Sequence, residues 1–100
     1  MPYIKQEDRT LLDHHIKRIL DDLFEISCAV NKLPGPVNYV VTRIVLGALK
    51  PTDGWSYHSI SRAIAVLRDA ATEMERRLMG PRGDKVIVSN GDVPEYLEAQ

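Results

Sequence analysis

The sequence contains a single cysteine, Cys28. That excludes an intramolecular disulfide and any zinc site built from cysteines, and it suits a reducing cytoplasm. No excess of either charge is present: 13 basic against 14 acidic residues leave a net charge of -1, with none of the basic surplus of a general DNA or RNA binder. Long apolar runs are missing too. The longest stretch is interrupted by Arg43 and is too short to span a bilayer. The opening "MPYIKQEDRT" is charged by its fifth residue and has no apolar segment, so it does not read as a secretory signal. Internal repeats and low-complexity segments are absent as well.

Enzyme signatures are equally scarce. His14 and His15 are neighbours, which on a helix point about 100° apart and cannot share a metal. They read as surface residues, and no metal ligand set or cofactor is expected. Ser56, Ser59 and Ser61 lie near His58 but lack the glycine pattern of a nucleophile elbow. Cys28, with Ser27 and Ala29 beside it and no adjacent base, reads as a packed thiol. The paired carboxylates Asp21-Asp22 and Glu73/Glu75 fall on polar helix faces. The chain is therefore expected to be non-enzymatic.

What is present is a single domain's worth of amphipathic helix. One hundred residues, 44% hydrophobic and 27% charged, are ordinary for a globular chain but can bury only a modest core, which makes self-association a natural source of stability. Leu12, Ile16, Ile19, Leu20, Leu23, Phe24 and Val30 form one stripe and predict a first helix over about 13–31, with Asp13 as N-cap. Its other face carries Lys17, Arg18, Asp21, Asp22 and Glu25, read as solvated charges. A second helix is expected over about 36–50, started by Pro36 and stopped before Pro51. A third runs over about 57–79, where Tyr57, Ile60, Ile64, Leu67, Ala71, Met74 and Leu78 make a heptad seam and Gly80-Pro81 stops it. "KVIV" followed by Asn90-Gly91 predicts a short strand at 86–88 before a turn, paired with an extended Met1–Ile4, and a tail over 92–100. The fold class is all-α: a small three-helix protein with short extended or β termini, oligomeric as a homodimer or homotetramer through apolar seams around Ile44 and Ile64.

The most informative stretch is "NYVVTRIVLG", in which Arg43 is the only charge. On a helical wheel Val40, Val41, Ile44, Val45 and Ala48 fill one broad side. Asn38 and Thr42 stack at its edge, and Tyr39 and Arg43 share the opposite surface. A guanidinium in that company needs a partner. One reading pairs Arg43 with Asp21, Asp22 or Glu73. The other gives it a nucleotide, with Tyr39 stacking on a base and Arg43 binding a phosphate. Arg76 and Arg77, with Arg82 and Lys85, form the densest positive cluster, beside a Gly80–Gly83 segment whose backbone N–H groups suit a phosphate if it is a loop. Arg76 and Arg77 also suit the C-terminal end of a helix dipole.

Three motifs, "MPYI", "NYVVTR" and "RRLMGPRGDKVIVSNGDV", occur in an order that resembles a small family encoded mainly by phages and prophages, over nearly the whole chain. "GPRGDK" departs from the proline-aromatic-acidic pattern usual at that place. Most members of that family have no assigned function. By analogy of size and helical make-up they are similar to the anti-CBASS sponges, which sequester cyclic-nucleotide defence signals without cleaving them. The resemblance implies an immune-evasion sponge in the host cytoplasm that binds a cyclic di- or oligonucleotide, and the residue pattern offers Asn38, Tyr39, Arg43, Arg76, Arg77 and Arg82 as its candidate contacts. The alternative is a phage adaptor that binds and inhibits a host protein, docking through the tail from Asp92 onward.

Overall fold

A computed structural model of the chain describes residues 3–99. It is helical throughout, with α1 at Gln6–Ile26, α2 at Pro34–Leu49, α3 at Tyr57–Met74, α4 at Gly80–Asn90 and a short α5 at Pro94–Glu98. The all-α class is as expected, and there are more helices than the three anticipated. The chain divides into two units, one up to Ala65 and one from Val66 onward, the division falling within α3. Among the described residues no helix is long and apolar enough to cross a membrane.

In the first unit α1 begins at Gln6, well before Asp13. The added turns, "QEDRT", are polar and so escape a reading based on the apolar stripe. Glu7 and Asp8 lie in the first turn, where carboxylates favour the positive end of the helix dipole, and Thr10 Oγ1 donates to the Gln6 carbonyl at 3.0 Å. The helix also ends early. Ser27 turns to extended backbone, its N–H still bonded to the Leu23 carbonyl, and its hydroxyl takes the Ala29 N–H at 3.2 Å in place of a continuing helical bond.

A single 3-10 turn at Val30–Lys32 leads into α2. Pro34 as well as Pro36 falls in its first turn, where a missing N–H costs nothing, so the helix starts two residues sooner than expected. It stops at Leu49 because Lys50 precedes Pro51 and is held extended. Gly54, at φ +92°, then reverses the chain in a conformation open chiefly to glycine. Ser56 caps α3 reciprocally. Its hydroxyl takes the Ser59 N–H at 3.1 Å, and the Ser59 hydroxyl takes the Ser56 N–H at 2.8 Å.

In the second unit the expected helix stop at Gly80-Pro81 is overturned. Pro81 has no N–H to give the Arg77 carbonyl, and its ring would crowd that carbonyl in an ordinary α-helix. The backbone widens instead into a π turn at Glu75–Met79, with the Gly80 N–H bonded to the Glu75 carbonyl, and helix resumes as α4. The strand expected at 86–88 is therefore helix. A run of three β-branched residues is too short to distinguish the two, and among the described residues no strand is present for it to pair with. Asn90-Gly91 is a helix end rather than a hairpin turn: Gly91, at φ +85°, donates its N–H to the Ile87 carbonyl at 2.7 Å. Tyr3 and Ile4 have no regular structure, Met1 and Pro2 of the expected extended start lie outside the described residues, and Pro94–Glu98 of the tail is helical.

Burial is sparse. Among the described residues only Leu23 and Ala63 are buried, with Ile19, Pro36, Val40, Val45 and Trp55 half-covered. Leu12, Ile16, Leu20 and Phe24, on the apolar side of α1, are each 44–51% exposed. The helices are amphipathic as predicted, but their apolar faces are left mostly uncovered within the single chain.

Two glycines test this backbone. Gly80 is helical, and a Cβ there would meet the Glu75 carbonyl at an ordinary 3.6 Å. Gly80→Ala is expected to stabilise the protein by about 0.5–1 kcal/mol, whereas Gly91→Ala, forced into the left-handed region, costs about 1–2 kcal/mol. Urea denaturation of the two variants checks both signs.

Candidate functional site

α1 and α2 enclose a cleft of about 400 Å³. Its walls are apolar, Ile19 and Leu23 from α1 facing Val40 and Ile44 from α2, because each helix turns the edge of its stripe towards the other. Three polar side chains complete the lining: Asp22, Tyr39 and Arg43. A concave apolar pocket of this size with few polar groups is the usual form of a small-ligand site.

Tyr39 and Arg43 are one helical turn apart and joined. The guanidinium Nη1 donates to the Tyr39 hydroxyl at 2.8 Å, and its Cζ lies 5.7 Å from the ring centroid, within cation–π range. The tyrosine holds the arginine in place without neutralising it. The expected carboxylate partner does not take part: Asp22 lines the same cleft beyond ion-pair distance, and Glu73 is engaged by Arg76 and Arg77. Tyr39 is 62% exposed, so the pair forms a rim and does not fill the core.

The other candidate residues are placed differently. Asn38 does not line the cleft; it is exposed, and its Oδ1 accepts the Thr42 hydroxyl at 3.0 Å. Arg76 and Arg77 lie in the π turn and share one carboxylate. Both Arg76 Nε and Nη2 donate to Glu73, and Arg77 Nε reaches Glu73 Oε1 at 3.1 Å. They are thus fixed at i+3 and i+4 from an acid, where the sequence had suggested a dipole or a phosphate. Arg82 is exposed on α4. The phosphate-cradling reading of Gly80–Gly83 fails because the segment is helix and not loop, with the Gly80 N–H already spent on Glu75. Asp84 also stands beside Lys85 in a shallow depression on α4, where it opposes an anion.

The cleft was only half legible. α2 supplied its polar pair by spacing, and Asp22, one of the three acids the sequence offers to Arg43, does reach the same cleft but lines it without pairing. Cys28 is exposed rather than packed, its thiol donating to the Phe24 carbonyl at 3.7 Å. His14 and His15 are exposed, their rings 3.8 Å apart. Among the described residues no three or more His, Cys, Asp or Glu side chains gather to hold a metal.

Residues 1–93 match the family described as a domain of unknown function, DUF6899, and the chain belongs to that family. No curated protein and no solved structure matches it.

The Glu73 arrangement makes a separate prediction. Both arginines are 60–63% exposed, so solvent weakens the pairing even though Glu73 itself is only 16% exposed. Glu73→Gln is expected to cost no more than about 1 kcal/mol, a loss that shrinks further in high salt. Denaturation midpoints at two ionic strengths check it.

Proposed function

We propose that this protein is a phage-encoded, non-catalytic sponge that, as a homo-oligomer, sequesters a cyclic di- or oligonucleotide defence signal in the host cytoplasm. The observation that carries the reading is Arg43: a guanidinium on the rim of an apolar cleft, braced by a phenol and lacking a carboxylate partner among the described residues. Such a group retains donors for a phosphate and loses little entropy on binding, because Tyr39 already fixes its direction. The Tyr39 ring offers a stacking face to a base, and the cleft, at about 400 Å³, has room to admit one.

Asp22 constrains the pose. Its carboxylate repels a phosphate, so the phosphate belongs on the Tyr39–Arg43 side and the amino edge of the base towards Asp22. Asn38, one residue along α2, supplies amide donors beyond the rim. Arg76, Arg77 and Arg82 serve as outlying cations of the same oligomer. A two-fold ligand suits a two-fold assembly, since each contact is then made twice.

A panel of cyclic dinucleotides and oligonucleotides, screened by thermal shift with and without divalent cations, tests the reading. A stabilising ligand recovered chemically intact after heat denaturation supports sequestration, and an altered ligand points to an enzyme. Arg43→Ala is expected to weaken binding about 30-fold or more, equivalent to about 2 kcal/mol, while the oligomer stays folded. If Arg43→Ala unfolds or dissociates the protein and no ligand in the panel shifts it, the arginine is structural and the reading fails. The uncovered α1 stripe of Leu12, Ile16 and Leu20 favours one other reading, a non-enzymatic adaptor that inhibits a host protein. In that case a single host protein co-purifies in fixed ratio and the nucleotide panel is silent.

A further inference from the structure

Leu67, Ala71 and Met74 follow steps of four and three residues, the spacing of a coiled-coil seam, and Leu78 lies one turn beyond them, in the π turn. Leu67, Met74 and Leu78 are exposed, the last two at 62% and 66%, so nothing in their own unit closes the seam. The stripe is narrow, as in helices that pair one to one, and not the broad face that packs into a globular core.

The flanking charges indicate what covers it. Arg68 follows Leu67 and Glu75 follows Met74, so the two stand on the same flank, one heptad apart and opposite in sign. Both are exposed, and neither has an ion-pair partner among the described residues, where Glu73 takes Arg76 and Arg77. In a parallel pair that flank would face the other one, where Ala70 offers nothing to Glu75. In an antiparallel pair a flank faces its own copy in reverse. With the two-fold axis between residues 72 and 73, Ala71 meets Met74 of the second copy, both within regular helix. Arg68 then falls opposite Glu75 and Glu75 opposite Arg68.

We propose that two copies of this chain pair antiparallel through the Leu67–Met74 seam, in the register that joins Arg68 of each copy to Glu75 of the other. The occupant of the seam is a second copy because its charge pattern complements itself about a two-fold axis. The pairing does not depend on whether the α1–α2 cleft takes a nucleotide.

Charge swapping tests it directly on the full chain. Sedimentation equilibrium across a concentration series is expected to show at least a dimer for the natural sequence. Arg68→Glu and Glu75→Arg each raise its dissociation constant about tenfold or more, by placing like charges together twice. The double variant Arg68→Glu/Glu75→Arg recovers most of that loss. Circular dichroism verifies that the helices persist. Should a reversal lose helicity, Arg68→Gln and Glu75→Gln replace it, with a smaller loss in the same direction. A natural sequence that stays monomeric, single variants that associate normally, or a double variant that fails to recover overturns the proposal.

Discussion

Removing apolar surface from water supplies most of the free energy that holds a small protein together, and this chain leaves much of that surface still exposed. Its helices are well specified locally: prolines open α2, two serines cap α3 reciprocally, and Gly91 closes α4. Local specification fixes where helices begin and end, but most helical stability in proteins comes from packing an apolar face. Leu23 and Ala63 cannot by themselves offset the conformational entropy of ordering so many residues. The exposed seam from Leu67 to Met74 is the face we assign to a second copy of the same chain.

The same shortage of cover explains why Arg43 is tolerated. In a filled core a guanidinium without a carboxylate would cost several kcal/mol, and it would draw in an acid or be replaced. At the rim of an open cleft it keeps its hydration and needs only to be aimed, which Tyr39 does through one hydrogen bond and its ring. Glu73 does the opposite for Arg76 and Arg77, gathering two cations onto one half-buried acid. Among the described residues Arg43 is thus held by a neutral phenol, whereas Arg76 and Arg77 are held by an acid.

Helical periodicity was the legible part of the sequence. It placed α2 to within two residues and the start of α3 at Tyr57, and it put Tyr39 beside Arg43. It misjudged whatever periodicity does not encode. The polar first turns of α1 carry no apolar stripe. "KVIV" is too short to separate helix from strand. Asn90-Gly91 serves a helix end as readily as a hairpin. Pro81 reads as a full stop, yet a π turn absorbs its missing N–H and lets the helix continue. Of the cleft, the α2 wall followed from spacing. The α1 wall depended on how two helices meet, which their separate patterns do not specify.

Whether copies of the chain cover one another is best decided by native mass spectrometry of freshly purified protein, which weighs the assembly and any small molecule it retains together. A multiple of the 11.3 kDa chain is expected at micromolar concentration, with no substantial monomer. A lone 11.3 kDa species at every concentration would contradict self-association, since the apolar faces would then have to remain open to water.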